Sequence, residues 1–166
     1  MNIVRTGKYY FLKLLRLRGS PKSIALGTAI GIFIGITPTI PFHTVAIIAL
    51  TIVTRSSFIA AFIASMLISN PFTVVPQYSL SLVIGNALTP YHLDWERIRQ
   101  VLDVVLSDAA LQARIEAVTS LSYEAITVLL VGGTILALPF SVAGYYLFLF
   151  LIVSFRKRRS SKHVLH

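Results

Sequence analysis

The sequence predicts an all-α integral membrane protein, and three observations predict it. Hydrophobic residues make up 55% of the 166 and charged residues 13%, against roughly 25% charged in ordinary soluble domains. Three runs, residues 23–54, 56–93 and 125–155, contain no Lys, Arg, Asp or Glu, and about 18 uncharged apolar residues already suffice for a spanning helix. The remaining charge is sorted by sign along the chain, as expected when a bilayer separates its ends.

The basic blocks come first and last. Arg5, Lys8, Lys13, Arg16, Arg18 and Lys22 precede the first run, and Arg156, Lys157, Arg158, Arg159 and Lys162 follow the last, with no acid in either block. All six acids, Asp94, Glu96, Asp103, Asp108, Glu116 and Glu124, fall within 91–124. Short loops rich in Lys and Arg stay cytoplasmic. The expected location is therefore the inner (plasma) membrane, multi-pass, with both termini cytoplasmic and an even number of crossings. A secretory leader has an apolar region of about 7–15 residues; the run behind this basic start is far longer, so the start reads as mature protein.

The elements follow in order. Ile3, Val4, Tyr10, Phe11, Leu14 and Leu17 recur at helical spacing among basic residues, which predicts a basic amphipathic helix over 1–22 lying on an anionic leaflet. The first run would be about 48 Å long as one helix, more than the hydrocarbon core of about 30 Å. Pro38 and Pro41 interrupt it, removing donors and disfavouring helix in the residues before them. Two short legs, 23–36 and 42–54, predict a broken or re-entrant hairpin. The second run repeats the arrangement, with a leg at 57–69, a break at Asn70 and Pro71, and a resumption through Pro76 to 89. Ser23, Gly27, Gly31 and Gly35 match Ser57, Ala61, Ser65 and Ser69 at a constant offset, a weak internal repeat. The membrane domain is thus expected over 23–90 as two such hairpins. Interfacial amphipathic helices are expected over 91–124, the first capped by Asp94 with Trp95 at headgroup level. The run 125–155, punctuated by Gly132, Gly133, Pro139 and Gly144, reads as a C-terminal transmembrane helix or hairpin, and 156–166 as a basic tail.

Polar residues within the apolar runs are the candidate sites. Gly27, Gly31 and Gly35 fall on one helical face and let another backbone approach closely. His43 is the titratable group of the first run, and intramembrane ionisable residues are candidates for function; a bond to a carbonyl freed by the proline break would serve structure alone. Arg55 suits either a headgroup anchor or a phosphate or carboxylate ligand. Asn70, Gln77 and Asn86 could line a polar cavity, and Asn70 before Pro71 could equally end its helix. Together His43, Arg55, Asn70, Gln77 and Asn86 form the candidate lipid- or substrate-binding set.

Catalytic signatures are absent. The chain has no cysteine, no phosphate-binding glycine loop, no zinc-protease motif and no carboxylates in its apolar runs, so no catalytic residue, metal or cofactor is expected. Orientation accounts for the basic termini without nucleic acid. Expected partners are membrane lipids, with another membrane protein or a second copy of the chain as further candidates. The leading reading is a non-catalytic scaffold or assembly partner in the cell envelope. The alternatives are a transport or lipid-handling component binding an anionic lipid headgroup or polyprenyl phosphate, and a membrane-bound enzyme.

Ser20-Pro21, Ile24-Ala25-Leu26-Gly27 through Gly31, Gly35 and Pro38, then Ser69-Asn70-Pro71 with Gly85-Asn86, resemble a family of bacterial membrane proteins known as domain of unknown function 2062. The resemblance covers about residues 18–90. Family members commonly carry an asparagine shortly after the arginine matched by Arg55, where this chain has Ser56 and Ser57. Their fusion to glycosyltransferase domains implies a link to envelope lipid or glycan handling, and the resemblance supplies no catalytic residues.

Overall fold

The computed structural model describes residues 9–10, 12–14, 17–38, 42–107, 110–119 and 123–163. Every regular element among them is α-helical: α1 (Pro21–Ile36), α2 (His43–Val53), α3 (Phe58–Ile68), α4 (Pro71–Leu88), α5 (Trp95–Leu106), α6 (Leu111–Thr119) and α7 (Tyr123–His163). Of the helix expected over 1–22, Tyr9–Tyr10 and 12–14 are helical, 17–20 are not, 21–22 open α1, and the rest of 1–16 lies outside the described residues.

Local chemistry fixes the boundaries of α1. Ser20 accepts a hydrogen bond from the Ser23 N–H at 3.1 Å, and Pro21 takes the first helical position, where its missing donor costs nothing. At the other end Thr37, preceding Pro38, turns to an extended ψ of 134°, as the residue before a proline prefers. The chain then returns through α2, because Ser57, just beyond α2, donates its N–H to the Ser23 carbonyl at 3.1 Å beside the start of α1. The first run is therefore a helical hairpin with unequal legs. α1 is buried along most of its length, whereas α2 buries Ile47 and Thr51 and exposes Val45, Ile48, Leu50, Ile52 and Val53.

α3 runs parallel to α1. A Cβ on Gly27 would stand 2.3 Å from the Ser57 carbonyl oxygen, and one on Gly31 2.1 Å from that of Ala61; Gly35 faces Ser65 and Ile68. The expected glycine face is thus occupied by α3 of the same chain, backbone against backbone.

The second pair of legs differs from the expected hairpin. α4 leaves α3 at 89° and lies antiparallel along α7. A Cβ on Gly85 would meet the Val128 carbonyl oxygen at 2.0 Å, and one on Gly132 the Ser81 carbonyl oxygen at 1.8 Å. Contact with α7 sets the direction of α4, and no such contact is visible in the local sequence.

α7 continues through Gly132, Gly133, Pro139 and Gly144 as one helix of 41 residues, so the C-terminal run is a helix and not a hairpin. It is the spine of the fold. Its second half packs antiparallel on α1, with the Ser141 hydroxyl donating to the Ala29 carbonyl at 2.9 Å. Its first half packs on α4 and on the loop before α5 through Val74, Leu82, Leu93, Ala125, Val128 and Leu129, with half-buried Tyr78, Tyr91 and Trp95 against them. Asp94 occupies the N-cap position of α5 as expected, but its side chain makes no capping bond.

Candidate functional site

Two ends of the α1–α3 pair collect the polar residues that sequence singles out. The break end carries His43 at the start of α2, Asn70 and Gln77. The opposite end carries Arg55. Asn86 lies apart from both, toward the end of α4.

At the break end the amides close the backbone. A helix that stops leaves carbonyls without partners, and between α3 and α4 these are satisfied within the chain. Asn70 donates its side-chain amide to the Leu67 carbonyl at 2.6 Å, and its backbone N–H donates to Thr73 Oγ1 at 3.0 Å. The Ile68 carbonyl accepts from the Thr73 hydroxyl and, at 3.4 Å, from Gln77 Nε2. Ser69 donates its hydroxyl to the Gly35 carbonyl at 3.1 Å, tying the break to the end of α1. Thr73 was not singled out in sequence, and Ser69 entered there only through the internal repeat and the Ser69-Asn70-Pro71 motif; Thr73 closes the start of α4 by a reciprocal bond with Asn70. His43 is half-buried.

Asn86 grips the turn after α4 by two bonds to one residue. Its Nδ2 donates to the Leu93 carbonyl and its Oδ1 accepts from the Leu93 N–H, each at 3.0 Å. The arrangement seats Leu93 in the core and orients Trp95 behind it.

The Arg55 end is basic throughout. Arg156, near the end of α7, donates from Nη1 to the Gly19 carbonyl at 2.7 Å and from Nη2 to the Leu17 carbonyl at 2.9 Å. This fork joins the two ends of the chain. Leu14 and Ile24 pack against Ile152 there, with Tyr10, Leu17, Phe148 and Phe155 around them. Lys13, Arg18, Lys22, Arg55 and Lys157 are exposed. Glu124, at the other end of α7, is separated from Arg156 by about 48 Å of helix. Among the described residues no group of three His, Cys, Asp or Glu could hold a metal ion.

The geometry defines an all-helical protein in which one helix, α7, is long and apolar enough to cross a membrane, with shorter apolar helices packed along it. The chain belongs to the family described as uncharacterized protein conserved in bacteria (DUF2062), whose model matches residues 4–161; the match extends well beyond the 18–90 covered by the motifs. No curated protein and no solved structure matches the chain.

Proposed function

We propose that the chain is an integral, non-catalytic component of the bacterial inner membrane, a scaffold or assembly partner that crosses the bilayer twice and dips into it once. The observation that carries this reading is α7. Its apolar portion, Tyr123–Lys157, has 17% of its most apolar window buried in the fold. Ile126, Leu130, Ile135, Leu138, Phe140, Leu147 and Phe150 point outward from it. Exposed side chains of α2, α3 and α4 extend that surface, and contiguous apolar patches of such extent are rare on soluble monomers. In this reading α7 is one crossing, tilted because it is longer than the core. The bent α3–α4 pair is the other, and α1–α2 is a re-entrant hairpin entered from the basic side.

Engagement of the polar residues supports a scaffold over a transport pocket, although His43, Asn70 and Gln77 share the break end. Asn70, Gln77 and Asn86 are engaged with backbone carbonyls, and Arg55 lies at the opposite end from His43. A transport pocket would need the amides free to meet a substrate and Arg55 beside them.

Alkaline carbonate extraction of membranes from cells expressing the chain tests the first half: the protein should stay in the pellet, and release into the supernatant would overturn integration. Extraction into polymer nanodiscs tests the second. The expected result is co-isolation in fixed stoichiometry with another membrane protein or a second copy. A solitary monomer would overturn the scaffold reading.

A further inference from the structure

Arg55 is the one non-glycine residue with a positive φ, 51°, among the described residues. Glycine adopts that conformation freely, whereas a residue with a Cβ is disfavoured in it. The backbone of the turn is otherwise satisfied: the Arg55 N–H donates to the Ile52 carbonyl at 3.2 Å, and the flanking Thr54 and Ser56 hydroxyls bond each other at 2.9 Å. The fold thus places an exposed arginine side chain on a left-handed turn.

Its surroundings are basic on one side and apolar on the other. The Ser57 N–H bonds the Ser23 carbonyl, so Arg55 and Lys22 flank the same backbone contact. All acids lie in 91–124, and the described ones fall at or before the start of α7, the end remote from this turn. Directly along α2 and α3 from the turn, Ile52, Val53, Phe58 and Ile59 are 70%, 78%, 41% and 54% exposed. A soluble anion would use the cations and leave the apolar side chains in water. A phospholipid with a net negative headgroup uses both.

Resting on the membrane reading above, we infer that the α2–α3 turn is a seat for one anionic phospholipid, its phosphate held by Arg55 with Lys22 and its acyl chains lying along Ile52, Phe58 and Ile59. The turn presents the guanidinium at headgroup level, where a planar fork takes two phosphate oxygens at once.

The test is native mass spectrometry of the full chain in mild detergent, titrated with phosphatidylglycerol or phosphatidylcholine of matched chains. Inorganic phosphate serves as the competitor. One phosphatidylglycerol should be retained in preference to phosphatidylcholine, and millimolar phosphate should not displace it. Arg55→Gly should weaken phosphatidylglycerol binding about fivefold, the contribution of one basic residue near a membrane surface, and weaken phosphatidylcholine binding less, because the choline cation already offsets part of that attraction. Because glycine suits the positive φ, this variant should melt no lower than the parent without lipid, so a folding defect does not mimic the result. Arg55→Lys should retain most of the preference, and Lys157→Gln all of it. Equal retention of the two lipids, displacement by phosphate, or an Arg55→Gly variant that binds like the parent would each overturn the seat. An equal loss in Lys157→Gln would also overturn it, in favour of a diffuse basic collar. Carbonate extraction of the same variants separates the two readings: a protein that remains membrane-embedded without lipid preference strikes the seat alone.

Discussion

A methyl group on Gly31 would collide with backbone at 2.1 Å from the Ala61 carbonyl oxygen, whereas one on Gly144 would meet the tip of the Ile32 side chain. A side-chain tip can rotate away and a helix backbone cannot. Gly31→Ala should therefore lower stability by about 1–3 kcal/mol, the usual cost of overpacking. Gly144→Ala should cost less, and thermal unfolding of the two variants in the same detergent reads the difference. The four-residue spacing made the glycine face legible in sequence; that α3 of the same chain fills it was not, because a stripe of small residues specifies close approach and not the identity of the neighbour. Asn86 shows the opposite limit. Its amide read as a possible cavity liner, yet it clamps Leu93 across a turn whose shape depends on Pro90 and on the seating of Trp95. Asn86→Leu would leave the buried Leu93 amide and carbonyl without partners, a loss of about 1–3 kcal/mol. Hydrogen exchange should report it as lost protection at Leu93, with the α1–α3 contact unaffected; unchanged exchange there would mean the clamp is dispensable.

Helix ends were the most legible feature at the scale of elements. Pro38, and Asn70 with Pro71, each mark a boundary, because capping and the missing proline donor act within a few residues; the Ser20-Pro21 start of α1 was read only as a family motif, within a helix expected over 1–22. The weak repeat also has a physical counterpart: Ser23 with Ser57 and Gly35 with Ser69, matched in sequence, are joined by hydrogen bonds across the α1–α3 contact. Directions were less legible. Nothing within 71–88 indicates that α4 should leave α3 at a right angle, since contacts at Gly85 and Gly132, some fifty residues apart in the chain, decide it. Likewise Pro139 and the glycine pair suggested a break in the last run, but the glycines face Ser81 and Pro38 as close-packing positions within a continuous helix. The parallel relation of α1 and α3 gives a direct check in a chain without cysteine. The Ser57 N–H bonds the Ser23 carbonyl at 3.1 Å, so cysteines at these two positions are expected to meet the span of about 4.4–6.8 Å between Cα atoms that a disulfide accepts. Mild oxidation should cross-link this pair and leave a Ser23, Ser69 pair reduced, whereas an antiparallel arrangement would reverse the pattern.

Across the whole molecule the sorted charges and the fold agree on one polarity. The fork from Arg156 to the Gly19 and Leu17 carbonyls brings the C-terminal basic block against the N-terminal one. α7 links that end to Glu124 at its start, and α5 and α6, which precede it in the chain, bear Glu96, Asp103 and Glu116. If α7 crosses the bilayer, the basic ends and the 91–124 segment lie on opposite sides, and the excess of Lys and Arg assigns the basic side to the cytoplasm. In the proposed scheme two crossings, the bent α3–α4 pair and α7, would return the C-terminus to the side of the N-terminus only if the α1–α2 hairpin enters and leaves by the same face. Single cysteines at Lys157 and at Glu116, both exposed, test this in intact spheroplasts with a membrane-impermeant maleimide. Glu116→Cys should label at once and Lys157→Cys only after permeabilisation. The expected contrast is about tenfold or more in initial rate, since a bilayer that excludes the reagent leaves little but slow leakage. Labelling of both positions from outside would place α7 along the surface and end the two-crossing scheme. The reverse pattern would keep the crossings and invert the protein, leaving the positive-inside rule, and not the fold, as the step that failed.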